Sequence, residues 1–412
     1  MRREMRQHAT RSLRILAIAP TGFFADYGCH VRIRGQMGAL AARGHHIRIV
    51  TYPSGRDVDE LTTLRPPFWP RGRTMPVGSS RRKLLLDAWL AALLPVAARR
   101  FPAGRPDIIH AYLHEGALLG ALVSRAWRVP LVFDYQGSLS EEMLDHRFLS
   151  ASSPLLPSLR RLERWINRQP QAILASSAQA TRQLIDGSKV SPQRVSTLPD
   201  NVDPAQFRPR AEWPAEQLAA LRHRLDLPTG RPLLVYLGLL APYQGTELLL
   251  QAMQRLARRD PAPHCLIMGF PDVDHYQQLA HDMGLAGHVT FTGAVSYEEA
   301  PLHLALGDVA VAPKVSATEG SGKLLPYMAA GLPIAAFDTP VHREYLGNQG
   351  FYARLGDAVS LAGALERALS ANTEEKARRG WLLRARVIER YTWQHAAQEI
   401  EDRYRSLMCE VA

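Results

Sequence analysis

The chain has 412 residues, 46% of them apolar and 22% charged, and its formal net charge is +11, an excess carried almost wholly by arginine. That length exceeds one ordinary hydrophobic core and predicts two domains, and the composition describes a folded soluble protein. The positive balance admits nucleic acid, anionic lipid or phosphorylated small molecules as partners; without an interleaved basic–aromatic register or zinc spacing, nucleic acid is set aside.

Met1 to Ser12 carries charge but lacks the apolar region and cleavage site of a signal peptide, so the first element is the strand Leu13–Ile18. The loop holding Asp26, Tyr27 and Gly28 leads into a helical stretch, His30–Arg43, without the three-glycine dinucleotide fingerprint. Gly28 suits close approach of a ligand and equally a plain turn. After the strand His46–Thr51 comes the apolar run Leu84–Ala98, interrupted by Asp87 and Pro95 and flanked by Arg81-Arg82-Lys83 and Arg99-Arg100. It is shorter than the ~18–20 apolar residues of a membrane span. It reads as an amphipathic core helix or, in a sharper reading, as a helix lying on an anionic membrane surface. The strand Asp107–His110 ends just before His114 and Glu115, which open the helix Glu115–Trp127. An isolated histidine is usually structural, but this one lies where cleft residues belong. The strand Pro130–Asp134 runs out towards Gln136, and Ala172–Ala175 and Val195–Leu198 complete the first series.

A proline-rich boundary at Asp203–Gly230 divides the chain into residues 1–205 and 206–392, with a last amphipathic helix from Trp393 to Met408. The second series is Pro232–Leu237, His264–Met268, His288–Thr292, Asp308–Ala312 and Pro333–Phe337. Nearly unbroken runs of Val, Ile and Leu are the mark of parallel strands buried on both faces. Two strand–helix series predict two doubly wound α/β domains, with ligand held where the carboxyl ends of the strands face each other. Three scattered cysteines, Cys29, Cys265 and Cys409, fit a reducing compartment without a disulfide framework.

Two loops of the second series could hold an anion. Gly238 to Thr246 precedes the helix Glu247–Leu256 and offers backbone amides but no cationic side chain. Glu319-Gly320-Ser321-Gly322-Lys323-Leu324 follows the strand Asp308–Ala312, and a helix is expected to begin within it, its free N–H groups and positive end aimed at a phosphate. Glu319 and Lys323 would share a helical face; the plainer reading of that pair is an exposed ion pair. The stretch is not a Walker A loop, since Leu324 replaces its Ser or Thr. The acidic pairs Asp57/Asp59 and Asp272/Asp274 sit in polar loops and are read as chance, so no metal site is expected.

Several segments in fixed order resemble the family 4 glycosyltransferases of the GT-B fold, from Leu13 to the C-terminus. They are the Gly28 loop with Gly44–Thr51, Ser176-Ser177-Ala178-Gln179 leading to Leu198–Asp203, Val235–Gly238 with Gln244-Gly245, Val289–Gly293, and Met328–Pro333. The resemblance implies two Rossmann-like domains across a cleft, with the last helix, within 393–412, crossing back to the first. It implies retaining transfer of a sugar from a nucleotide diphosphate sugar, a substrate and not a cofactor, to an acceptor hydroxyl without a metal. It places His114 and Glu319 in catalysis; Gly238, Gln244, Gly245, Lys314, Gly320, Ser321, Gly322, Lys323 and Leu324 around the donor; and Asp26, Tyr27, Gly28, Glu115 and Gln136 on the acceptor side. The chain departs from the family at Leu239 and Gln244, where an Arg and a Lys commonly grip the diphosphate. It departs again at Pro326, in place of a glutamate; the other family glutamate falls at Thr318, one residue before Glu319. Lys323, with Lys314, is expected to restore the missing charge. The expected partners are a sugar donor, a glycan or lipid-linked acceptor and an anionic membrane surface, for a cytoplasmic protein peripheral on the inner face and acting in cell-surface glycan synthesis. The rival readings are a GT-B sugar-nucleotide epimerase or phosphorylase and a non-catalytic GT-B scaffold.

Overall fold

The computed structural model describes residues 11–26, 28–66, 81–101, 104–145, 148–316 and 320–411. Seven strands form a first sheet: β1 (Arg14–Ala19), β2 (His46–Thr51), β3 (Thr62–Leu64), β4 (Ile108–Tyr112), β5 (Leu131–Tyr135), β6 (Ala172–Ala175) and β7 (Val195–Thr197). They lie in the order β3-β2-β1-β4-β5-β6-β7, all parallel, with Ile15 paired to Ile47 on one side and to Ile108 on the other. A second sheet holds β8 (Leu233–Leu237), β9 (His264–Met268), β10 (Val289–Gly293), β11 (Val309–Ala312), β12 (Ile334–Phe337) and β13 (Phe351–Ala353). Its order is β10-β9-β8-β11-β12-β13, again all parallel. Every expected strand is present, with ends shifted by at most two residues. The short strands β3 and β13 were not expected: both are edge strands of three residues, too short to show a periodic run.

Each sheet reverses its order between its first and fourth strands. Loops leaving the two central strands of such a sheet part in opposite directions and open a crevice at the carboxyl ends. The chain leaving these strand ends carries Asp26 and then Gly28, at a helix start, after β1; His114, in the first turn of a helix, after β4; Gly238 to Gly245 after β8; and Lys314 and Lys323 after β11.

Helix α1 (Gly28–Ala42) covers one face of the first sheet, while α2 (Arg81–Arg99), α3 (Leu113–Trp127) and α4 (Leu156–Asn167) cover the other. In the second domain the helix expected to start within Glu319–Lys323 instead starts later. Helix α5 spans Leu324–Ala329, and Lys323 stands at its cap, not on a helical face. The Leu324 N–H donates to Ser321 O at 2.9 Å and the Leu325 N–H to Gly322 O at 3.1 Å, closing a turn before the helix. Pro326 is the third helical residue, where the missing N–H breaks no intrahelical bond.

The chain crosses between domains twice, and the two crossings lie side by side: the Val202 N–H donates to Tyr391 O at 2.9 Å, and Val202 bridges Thr392 in parallel. The last helix, α6 (Trp393–Val411), returns to the first domain. Its Trp393, Ala396, Ala397, Ile400 and Tyr404 pack with Ile33, Met37 and Leu40 of α1. Close contact depends on Gly35, where a Cβ would fall 2.2 Å from the Trp393 indole, whereas one on Gly38 would meet nothing within 4 Å. Gly35→Ala is therefore expected to destabilise the protein by about 1–3 kcal/mol through overpacking. Gly38→Ala is expected to be neutral or stabilising. Urea midpoints of the two variants check this, and equal midpoints would contradict it.

Candidate active site in the interdomain cleft

The floor of the cleft is set by Arg32 on α1, which is 2% exposed. Its Nε and Nη2 donate to the Asp134 carboxylate at 2.9–3.1 Å, and Nη2 also to Leu198 O at 2.9 Å. Its Nη1 donates to Pro199 O at 3.0 Å and to Asp200 Oδ1 at 3.1 Å. All five guanidinium N–H groups are used. Asp134, near the end of β5, also accepts from Gln36 Nε2 at 2.9 Å, and Gln36 Oε1 accepts from the Tyr112 hydroxyl at 2.8 Å. Burial pushes the Asp200 carboxyl up, while Arg32 and Lys314 draw it back. Sequence reasoning did not pick out Arg32 or Asp134, and quoted Asp200 only within the Leu198–Asp203 segment.

The cleft gathers most of the expected residues. Asp26, Gly28, His114, Glu115 and Gln136 line it from the first domain, opposite Gly238, Gln244, Lys314, Gly320, Ser321, Gly322 and Lys323. Glu319 and Tyr27 lie outside the described residues. Gly245 and Leu324 are not on the cleft wall. Gly245, at φ +75°, packs where a Cβ would fall 1.9 Å from Pro313 O. Leu324 is fully buried in the second core.

On the donor side, the Gly238 loop was read as having no cation, yet folding brings one to it. Lys323 Nζ donates to Gln244 Oε1 at 2.7 Å and to the Tyr236 hydroxyl at 3.1 Å, and lies 4.4 Å from the Tyr236 ring centre. A Cβ on Gly238 would fall 2.8 Å from that ammonium. Lys314 is also buried, its Nζ donating to Gly320 O at 2.8 Å. Ser321 is anchored by His342: its hydroxyl donates to Nε2 at 3.2 Å, because Nδ1–H is taken by Phe337 O at 2.7 Å. Burial lowers the His342 imidazole to about 4, so it is neutral at pH 7.

On the acceptor side, the loop after β1 is anchored by His30. The Ala25 N–H donates to Nδ1 at 2.7 Å, and Nε2 pairs with the Thr21 hydroxyl at 2.6 Å. Burial lowers this imidazole to about 3. Gly28 opens α1 with free space where a Cβ would stand. Asp26 accepts from Arg56 Nη2 of its own domain at 2.8 Å and, across the cleft, from the Tyr297 N–H at 2.9 Å. His114 sits in the first turn of α3, its ring edge-on to Phe133 and Tyr135. Its Nε2 is 3.7 Å from Glu163 Oε1, beyond hydrogen-bond range. Burial holds His114 below the usual histidine range, against the pull of Glu163. Leu113, where β4 gives way to α3, takes φ +59°. Strain of this kind costs about 1–3 kcal/mol and clusters at functional sites. Gln136 Nε2 is buried without a hydrogen-bond partner among the described residues.

Two doubly wound parallel sheets facing across a cleft, with a last helix returning to the first, define a GT-B glycosyltransferase fold. The chain belongs to the family 4 glycosyltransferases: residues 27–201 match the glycosyl transferase 4-like domain and residues 231–371 the glycosyl transferases group 1 domain. It is 24% identical over 98% of its length to the D-inositol 3-phosphate glycosyltransferase of Nocardia farcinica, of which 90% is covered. Over 34% of the chain it is 40% identical to the GDP-mannose-dependent alpha-(1-6)-phosphatidylinositol monomannoside mannosyltransferase of Mycobacterium tuberculosis, of which 37% is covered. The structure of Anabaena HepE in complex with UDP-glucose matches with a TM-score of 0.74 and 16% identity, covering 96% of this chain and 100% of that one; the likeness is one of fold.

The anchoring imidazoles of both cleft walls make the fold acid-sensitive. His30 and His342 titrate near 3 and 4 in the folded protein, against about 6.5 when unfolded. Below pH 6.5 the unfolded chain takes up protons that the folded one refuses, so stability falls with pH down to about 4. Each histidine adds at most ~1.4 kcal/mol per pH unit to that slope. Urea midpoints between pH 7 and 4 should fall, and His342→Gln should flatten the fall; an unchanged slope in the variant would refute the assignment.

Proposed function

We propose that this glycosyltransferase takes its sugar from a nucleotide diphosphate donor and passes it, with retention and without a metal, to a hydroxyl of a glycan or lipid-linked acceptor in glycolipid or polysaccharide synthesis. The observation that carries this reading is the Lys323 ammonium beside Gly238 and Gln244. Gln244 and Leu239 occupy the positions where the family commonly places its diphosphate-binding Lys and Arg, and Lys323 brings positive charge to that loop. With Lys314 it supplies two cations for a diphosphate. The GDP-mannose and inositol phosphate named for the two relatives support such a donor and a phosphorylated or lipid-bound acceptor.

In this mechanism the bond between the sugar C1 and the phosphate oxygen breaks, its electron pair leaving with the diphosphate. The acceptor oxygen bonds C1 on the same face, and its proton passes to the departing phosphate oxygen. Lys323 and Lys314 stabilise the charge on the leaving group. His114, neutral in its buried pocket, and the Gly28 loop shape the acceptor side. Glu319, one residue beyond the position where the resemblance puts a family glutamate, takes that glutamate's role through a one-residue difference in loop length and holds a donor sugar hydroxyl.

A membrane-surface acceptor fits the outer face of the first domain. Among the described residues, eight of the twelve exposed large apolar side chains lie there: Leu85, Trp89 and Val96 on α2, Leu122 on α3, Phe148 and Leu155 before α4, and Leu162 and Trp165 on α4. The exposed arginines Arg99, Arg125, Arg160, Arg161 and Arg164 lie among them, a composition suited to an anionic bilayer. No helix among the described residues is long and apolar enough to cross a membrane.

Lys323→Ala is expected to weaken nucleoside diphosphate binding about 10- to 150-fold, the equivalent of one charge-assisted contact of ~1.5–3 kcal/mol. Calorimetric titration with a panel of nucleoside diphosphates reads this directly, and unchanged affinity would remove Lys323 from the donor site. The native protein should form product in excess EDTA, with the donor's anomeric configuration kept. Separately, the native protein should co-sediment with vesicles containing phosphatidylglycerol and not with pure phosphatidylcholine. Trp89→Ser with Trp165→Ser should lose that binding while still transferring to a soluble acceptor; sedimentation unaffected by either lipid or variant would end the membrane reading.

A further inference from the structure

We propose that Asp200 is a catalytic carboxylate of this site, stabilising the positive charge that develops on the donor sugar as its bond to the diphosphate breaks; the proposal rests on the transfer reading above. Asp200 lines the cleft from the segment linking the two domains. Its Oδ1 is fixed by Arg32 Nη1 at 3.1 Å. Its Oδ2 faces the glycine turn before α5: a Cβ on Gly320 would fall 2.8 Å from it, and one on Gly322 3.0 Å.

The charges around the turn are divided: Asp200 stands at its glycines, with the Lys314 ammonium on Gly320 O beside it, and Lys323 reaches elsewhere. Asp200 touches it at Gly320 and Gly322, while the next residue, Lys323, extends its ammonium away to Gln244 and Tyr236. A nucleotide diphosphate sugar has a matching polarity, since its phosphates are anionic and its sugar ring becomes electron-poor as the C1–O bond lengthens. Phosphates drawn to Lys323 would be repelled by Asp200, which leaves the carboxylate to the sugar. The electron pair of the broken bond goes to the diphosphate, the acceptor oxygen supplies the new bond to C1, and the acceptor proton ends on the phosphate. Asp200 contributes charge only and is unchanged at the end.

A merely structural role explains Asp200 poorly. Arg32 already has Asp134 for its charge and the Leu198 and Pro199 carbonyls for two further donors; its last Nη1–H, which Asp200 takes, could be met by a neutral amide oxygen. A second carboxylate beside Asp134, four-fifths removed from water, adds desolvation and like-charge costs that a single hydrogen bond does not require. Besides Arg32 and Asp134, Lys314 also acts on it electrostatically.

Asp200→Asn separates the roles, because the amide oxygen can still accept from Arg32 and only the charge is lost. Expected are a fall in kcat of about 10²–10³-fold, nucleoside diphosphate affinity equal to native or tighter, and a melting temperature that is not lowered. A kcat within about threefold of native overturns the proposal. So does a loss of kcat accompanied by weaker nucleotide binding and a lower melting temperature, the pattern of a structural residue. If the native protein turns over no nucleotide diphosphate sugar at all, the transfer reading falls and this proposal with it; if native transfer is intact and the variant matches it, Asp200 alone is refuted.

Discussion

The position of both cleft walls depends on the Arg32 guanidinium. Its donors join three parts of the chain that are distant in sequence: helix α1, the end of β5 at Asp134, and the exit from β7 at Leu198 to Asp200. The last of these is the segment from which the second domain is hung. A lysine could not substitute, because three rotating donors cannot meet four acceptors laid out in the plane of a fork. Breaking such a buried network by removing one partner costs about 3–5 kcal/mol. The arginine thus fixes the linker and, through Val202 and Tyr391, the returning chain beside it.

A second contact between the domains, at the rim of the cleft, is built differently. There Glu298 pairs with Arg34 at 2.7 Å and Arg56 at 3.0 Å, and all three side chains are partly exposed. Exposed pairs of this kind contribute about 0–1 kcal/mol each. Rigidity is therefore concentrated at the hinge and is slight at the rim, which suits a cleft that must admit one substrate and release another. The same economy governs Lys323. The Tyr236 ring and Gln244 amide hold its flexible stem in place before any anion arrives, so little side-chain freedom remains to be lost on binding.

Much of the architecture was legible because parallel strands buried on both faces leave unbroken aliphatic runs, as at Ile15–Ala19 and Val309–Ala312. The misses have physical causes. Strands β3 and β13 pair on one edge only and need just three residues each. Arg32 is a single charge inside a helical pattern, and its partners lie 102 and 168 residues away, so no local spacing announces it. The helix start was placed too early because glycine, serine and an acid resemble a capping sequence. Pro326 was the available signal, since a proline inside a helix fits its first turn and so puts the start close before it. Lys323 and Lys314 were identified as cations, but nothing in the sequence says that Lys323 turns towards Gly238.

The glycines of the turn before α5 were first explained as a cradle for phosphate, and the packing adds a second reason for them. A Cβ on Gly320 would fall 2.8 Å, and one on Gly322 3.0 Å, from Asp200 Oδ2, so the turn lies tight against that carboxylate and a side chain at either position would have to push it aside. The two explanations concern opposite sides of one turn. Backbone stripped of side chains on the Asp200 side can lie against the floor set by Arg32, and in doing so it fixes where Lys323 begins and which way its stem can reach. Glycine density at such a site is then a consequence of close approach between two charged walls, and phosphate binding is one use of the geometry that results.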